Sequence, residues 1–152
     1  MTIIPDLVRG REPGAETAFR HRLAATPWAL APLRVRLREW LTDVGLHEDL
    51  VHTTVLSVSE AAANSIEHGL RFDERGTVTV VGAVRADGLV ELTIGDDGAW
   101  RRPRELDHRG YGLRIIHAVM DDVGIEAERN GTVVRMGLRP RGSARTRQPR
   151  PA

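Results

Sequence analysis

The amino-acid sequence predicts an α+β fold, a two-layer sandwich whose mostly antiparallel mixed sheet is covered on one face by about three helices. Three observations carry that expectation. Apolar residues recur at helical spacing over Leu30–Val44, Val51–Ala62 and Leu113–Val123. Valine- and threonine-rich runs meet at Asp87-Gly88 and Asn130-Gly131, dipeptides suited to the positive φ of tight hairpin turns. Strands and helices do not alternate one for one, which argues against a doubly wound parallel sheet.

Each element follows from its local pattern. Glu16 to Leu23, "ETAFRHRL", alternates enough for a strand. Pro27 suits a first helical turn, where no amide hydrogen is needed. Leu30, Leu33, Leu37, Trp40, Leu41 and Val44 then form one apolar face with arginines opposite, and Gly45 ends the helix. A second helix is expected over 47–67, with Val51, Val55, Val58 and Ala62 as its apolar stripe and Gly69 as its stop. "TVTVVGAV" and "LVELTI" read as strands, the second with Val90, Leu92 and Ile94 on one face. "GDDGAWRRPRELDHRGYG" has no period and reads as a functional lid rather than a simple connection. "GLRIIHAVMDDV" resumes helical spacing, and "IEAER" and "TVVRMGL" close the sheet as a hairpin. The expected organisation is a flexible segment over 1–15, a folded domain over 16–139 and a disordered Arg/Pro-rich tail over 140–152.

Composition excludes several chemistries. The chain has 152 residues and no cysteine, so a disulfide framework, a thiolate zinc site and a cysteine nucleophile are all absent. Its 22 Lys+Arg are all arginine, which removes any P-loop, protein-kinase strand or Schiff-base lysine. A net charge of +1 is too balanced to point to nucleic acid. No apolar run approaches a membrane span, and the N-terminus lacks the pattern of a secretory signal. A cytoplasmic protein with no membrane or direct nucleic-acid partner is expected, and the initiator methionine with the tail suggests a free-standing one.

Three short stretches carry candidate chemistry. In "SVSEAAANSIEHG", Glu60, Asn64 and His68 fall on one helical stripe, which Thr53 and Ser57 extend. Such a stripe is either a solvated face or the wall of a site. In the second case an asparagine oxygen is a hard, neutral ligand suited to Mg²⁺. A glutamate one turn away can take a proton or orient a nucleophile. Asp96 and Asp97 in "IGDDGAW" end an apolar strand; they are ordinary turn chemistry, or a fixed carboxylate that accepts from an adenine amino group. Gly110 and Gly112 in "RGYGL" enter a helix, either as a flexible joint or as free amides that favour phosphate. "HEDLVH" is one residue too long for the zinc pair H-E-x-x-H. It is also no phosphoacceptor helix, because His47 shares the predicted helix of Glu60 and leaves no room for a dimerisation domain.

In this order, an E-x-x-x-N helix, a D-x-G after a strand, a G-x-G opening a helix and a G-T in a hairpin resemble the GHKL ATPase superfamily. More closely, the sequence resembles the anti-sigma-factor serine/threonine kinases of bacterial partner-switching systems, over roughly Ala18 to Leu138. The resemblance implies the Bergerat-type ATP-binding fold and assigns roles. Glu60 would be the catalytic residue that assists proton removal, and Asn64 the residue that coordinates Mg²⁺ on the ATP phosphates. Asp96 would bind the adenine amino group, Gly98 would shape the pocket and Thr132 would help hold the base. Arg109, Gly110, Tyr111, Gly112 and Leu113 would form the phosphate lid, and His68 the pocket edge. Two features depart from the pattern: Gly98-Ala99-Trp100 stands where the family has G-x-G, and the lid is short.

The function so implied is an Mg-ATP-dependent anti-sigma factor and serine/threonine protein kinase. Its protein substrate would be an anti-sigma-factor antagonist, its second partner an RNA polymerase sigma factor, and its state a homodimer. The second reading is a non-catalytic ATP-binding regulatory module whose nucleotide state controls partner binding. A third is a piece of a larger phosphatase or sensor.

Overall fold

The computed structural model describes residues 19–98, 120–128 and 131–140. Within them lie five strands and two helices, β1 (Phe19–Ala24), α1 (Leu30–Asp43), α2 (Glu48–Asn64), β2 (Thr77–Val84), β3 (Val90–Asp96), β4 (Asp122–Glu128) and β5 (Gly131–Leu138). The strands form one sheet in the order β1-β2-β3-β5-β4, and every neighbouring pair is antiparallel. The 1–15 segment, the third predicted helix through Val119 and the 141–152 tail lie outside the described residues.

The apolar periodicities decide how the layers meet. Leu33, Leu37 and Leu41 of α1 are fully buried, as is Val58 of α2, and they share one core with Val80, Leu92, Ile94 and Met136 from the sheet. Register alternation sets the inner row, because Val80 pairs with Ile94 and Ile94 with Val134, while Leu92 pairs with Met136. Polar residues take the other parity, as Thr93 opposite Arg135 shows. Pro27 opens a short 3₁₀ turn, Pro27–Ala29, that leads directly into α1. Gly45 leaves α1 at φ 87°, the conformation that stops a helix most cheaply as glycine.

Two expectations need correction. The helical reading of "MDDV" fails at its end: Asp122 and Val123 already belong to β4, with Val123 in register with Met136. Helix spacing and strand alternation overlap for so short an apolar set, and pairing with β5 decides the outcome. The second helix also changes form. After Asn64 it widens into a π-turn, Ser65–Gly69, in which the Leu70 amide donates to the Ser65 carbonyl at 2.8 Å. Arg71 and Phe72 follow at φ 50° and 57°, two successive non-glycine residues in the left-handed region, where bulky side chains are strained.

One contact at the free edge of the sheet makes stability depend on pH. His21 of β1 lies half-buried, with its Nδ1 3.2 Å from the Arg36 guanidinium of α1. Burial lowers the His21 pKa below the ordinary 6.5, and the Arg36 charge lowers it further. Arg36 can donate to Nδ1 only while the ring is neutral. Above pH 6.5 both folded and unfolded chains hold a neutral imidazole; below it the unfolded chain takes up a proton first, so stability falls. Urea midpoints measured from pH 8 down to about 5.5 are expected to drop for the wild type, and His21→Gln to flatten the part of that drop that begins near the ordinary imidazole value.

Candidate functional site: a buried carboxylate beneath a helix end

Asp96 is the last residue of β3 and continues the inward row of Val90, Leu92 and Ile94. Alternation therefore turns a carboxylate into the core, where it is 2% exposed. Its Oδ1 accepts from the Gly98 amide at 3.1 Å and the Thr132 amide at 3.3 Å. Its Oδ2 is buried and has no hydrogen-bond partner among the described residues. Burial pushes the Asp96 carboxyl above the usual carboxylate range; the Ser65 hydroxyl and the Gly98 and Thr132 amides oppose that shift, and the Asp97 charge adds to it. A buried acceptor left open costs free energy unless a donor arrives, so the arrangement suits a ligand N–H.

The space around that oxygen is made by glycines. The π-turn packs on the ends of β3 and β5. A Cβ on Gly69 would stand 2.8 Å from Asp96 Oδ2, closer than real contacts allow. A Cβ on Gly98 would fall on the Gly69 carbonyl oxygen. Asp97 plays a different part: its Oδ1 accepts from the Thr77 amide at 2.8 Å and ties the end of β3 to the start of β2. Of the two adjacent aspartates, Asp97 is used by the fold and Asp96 keeps an oxygen open.

Above the carboxylate, α2 ends at Asn64. Glu60 and Asn64 are half-buried and His68 is exposed, so the polar stripe is not uniformly wet. Its N-terminal members belong to the helix itself: Thr53 and Ser57 turn their hydroxyls back to the carbonyls of Asp49 and Thr53, each at 2.9 Å. Ser57 is fully buried. Asp96, Gly98 and Thr132 are brought together by hydrogen bonds, and Asn64 is the last residue of α2 before the π-turn, with Glu60 one turn earlier. Trp100, Arg109, Gly110, Tyr111, Gly112 and Leu113 lie outside the described residues.

Ser65 and Gly69 were not singled out as site residues by sequence reasoning. Ser65 lies off the Glu60/Asn64/His68 stripe, and Gly69 reads as a helix stop. A signal existed for Gly69, since a glycine directly after a polar stripe can also mark close backbone approach.

A five-stranded antiparallel sheet with two helices, and a buried carboxylate oxygen without a partner at the end of a central strand, defines an α+β domain. Residues 23–138 match the family described as Histidine kinase-like ATPase domain, and the chain belongs to that family. Its GHKL-like fold follows, and membership in a family of ATPase domains implies ATP binding. The chain is 33% identical over 116 residues to an anti-sigma F factor of Heyndrickxia coagulans, covering 68% of this chain and 79% of that protein. Serine-protein kinase RsbW of Bacillus licheniformis is 25% identical over 125 residues, with 72% of this chain and 78% of the relative covered. A crystal structure of the RsbU and RsbW domains of a Mycobacterium tuberculosis protein superposes with a TM-score of 0.68 at 26% identity. That match covers 82% of this chain and 33% of the longer one. No helix among the described residues is long and apolar enough to cross a membrane.

Proposed function

We propose that this protein is an anti-sigma factor with Mg-ATP-dependent serine/threonine kinase activity, acting on an anti-sigma-factor antagonist and holding a sigma factor inactive. The observation that carries the reading is the open Oδ2 of Asp96, a buried acceptor where an adenine amino group would donate. The similarity to an anti-sigma F factor and to a serine-protein kinase supports the partner classes.

The chemistry assigned to this chain is proton handling and positioning. The acceptor hydroxyl of the antagonist attacks the γ-phosphorus, the bond to the bridging oxygen breaks, and ADP leaves. Glu60, half-buried one turn before the end of α2, takes the hydroxyl proton. Asp96 and Thr132 orient the base, and Gly98 leaves it room. The residues present fit a magnesium ion bound in the usual way. Among the described residues no group of three His, Cys, Asp or Glu side chains could cage a metal. The Asn64 amide oxygen would serve as a hard, neutral ligand, with phosphates and water supplying others. When bound, the ion neutralises charge on the transferring phosphoryl group. A cytoplasmic location and a homodimer complete the proposal.

The test has two readouts. Mg-ATP should raise the melting temperature of the wild type, and Asn64→Ala should reduce that rise. Radiolabel from ATP should appear on the cognate antagonist with the wild type and fall by about 10² to 10⁴ in rate with Glu60→Ala, the usual worth of a general base. Partner binding that persists with nucleotide but without any transfer would mark a nucleotide-controlled binding module instead. No stabilisation of the wild type by nucleotide would sink the reading.

A further inference from the structure

One row of the sheet is buried on the face that carries neither α1 nor α2. Thr79, Gly95 and Val133 lie side by side across β2, β3 and β5, since Thr79 pairs with Gly95 and Gly95 with Val133. Their strand neighbours Val80, Ile94 and Val134 point into the core, so alternation turns the row outward. Val133 is nevertheless 0% exposed and Thr79 6%, and Gly95 is buried with them. Among the described residues, Val133 is the one buried apolar side chain that stands outside the common core.

The described neighbours do not close this row from above. Arg22 pairs with Thr79 at one end and Glu126 with Val133 at the other, and both are exposed. Over Gly95 a Cβ would meet Val133 at 3.9 Å and no other described residue within 4 Å. The next outward row, Val81, Thr93 and Arg135, is half-buried. The cover is therefore local to the end of the sheet that holds Asp96.

We propose that residues 3–8 of this chain, "IIPDLV", dock on the Thr79–Gly95–Val133 row and cover the back of the sheet behind Asp96. Ile3, Ile4, Leu7 and Val8 supply the apolar side chains, and Asp6 is opposite in charge to the Arg22 that borders the row. The chain enters β1 at Phe19, on the free edge two strands from Gly95. From Val8 to Phe19 an extended chain spans up to about 36 Å, against roughly 20 Å needed to reach the row. Two other stretches fit this face less well. At Gly98 the chain already stands on the helix side, against the Gly69 backbone, and at Met120 it lies in the core on that side. Residues 141–152 hold no apolar side chain beyond alanine and proline.

The lack of cysteine makes a direct test possible in the full chain. A thiol introduced by Val133→Cys should be protected from N-ethylmaleimide at every protein concentration. Adding Ile4→Asp and Leu7→Asp should speed its alkylation by about tenfold or more, because carboxylates do not stay on an apolar row. Urea midpoints show that the chain is still folded, and Thr79→Cys repeats the measurement with a smaller change of side chain. Pairing Val133→Cys with a cysteine at Ile3, Ile4, Leu7 or Val8 in turn should give an intramolecular disulfide in at least one case. Protection unchanged by the two aspartates, or no cross-link in any pair, overturns the proposal. Protection that fades on dilution overturns it as well, because the cover is then a second copy. None of these readouts involves nucleotide, so the proposed kinase function is tested separately.

Discussion

Asp96→Asn is expected to remove adenine-nucleotide binding while leaving the fold intact and altering its pH dependence. The substitution keeps an oxygen for the Gly98 and Thr132 amides, so the loop after β3 stays anchored. The amide nitrogen then takes the place of Oδ2 and presents hydrogens to a donor. Losing a charge-assisted contact and opposing two donors costs about 3 kcal/mol or more, on the order of a hundredfold in affinity. The apo protein reports the same group differently. The folded pKa of Asp96 is raised, so from 3.8 up to the folded value the native chain holds more protons than the unfolded one. Stability therefore falls as pH rises through that window, and the ionised carboxylate is a net cost at neutral pH. Asp96→Asn should abolish that contribution to the slope between pH 3.8 and neutrality. Thermal melts across pH, with and without ADP, separate the two effects. A variant that still gains the full wild-type shift with ADP would dismiss Asp96 as the base-binding group.

Gly98→Ala is expected to be a strongly damaging single-methyl change in the described pocket. The added Cβ falls on the Gly69 carbonyl oxygen and lies 3.1 Å from the Leu70 side chain. Both chain segments are fixed: the Gly98 amide is held by Asp96, and the π-turn is held by its own carbonyl contacts. Backbone against backbone cannot be relieved by a rotamer change, so the loop must leave the turn and the pocket opens. A cost of about 3 kcal/mol is expected, at the upper end of overpacking. Gly69→Ala is the instructive contrast, because its Cβ meets a side chain, Asp96 Oδ2, at 2.8 Å. It should destabilise less than Gly98→Ala yet weaken ADP binding strongly, since the carboxylate has to turn away. Urea unfolding and ADP titration of the two variants side by side check this ordering. Equal unfolding midpoints for wild type and Gly98→Ala would refute the steric account.

Much of the fold is legible locally because each helix and strand buries one face. The leucine spacing of α1, the valine stripe of α2 and the alternation of β3 state which side chains go inward, and the core uses them so. Asp87-Gly88 and Gly131 mark their turns through backbone conformations that glycine reaches most cheaply, with Gly88 at φ 83°. "MDDV" misleads because four residues support both periods, and only pairing with β5 distinguishes them.

The site was legible in its chemistry and not in its geometry. The order of Glu60, Asn64, Asp96, Gly98 and Thr132 along the chain carries the family resemblance on which the proposed nucleotide pocket rests. Even the inward aim of Asp96 follows from its parity with Leu92 and Ile94. What the tertiary structure alone decided is which oxygen of which aspartate stays open. Asp97 is consumed by the Thr77 amide across the sheet, and Asp96 keeps Oδ2 beneath Gly69, where a Cβ would stand 2.8 Å away. Such facts depend on segments some 30 residues apart, such as Gly69 and Gly98, meeting at van der Waals distance. Local periodicity carries no term for that meeting. The π-turn that places Ser65 belongs to the same class, because its extra residue is set by packing against β3 and β5 rather than by helix propensity.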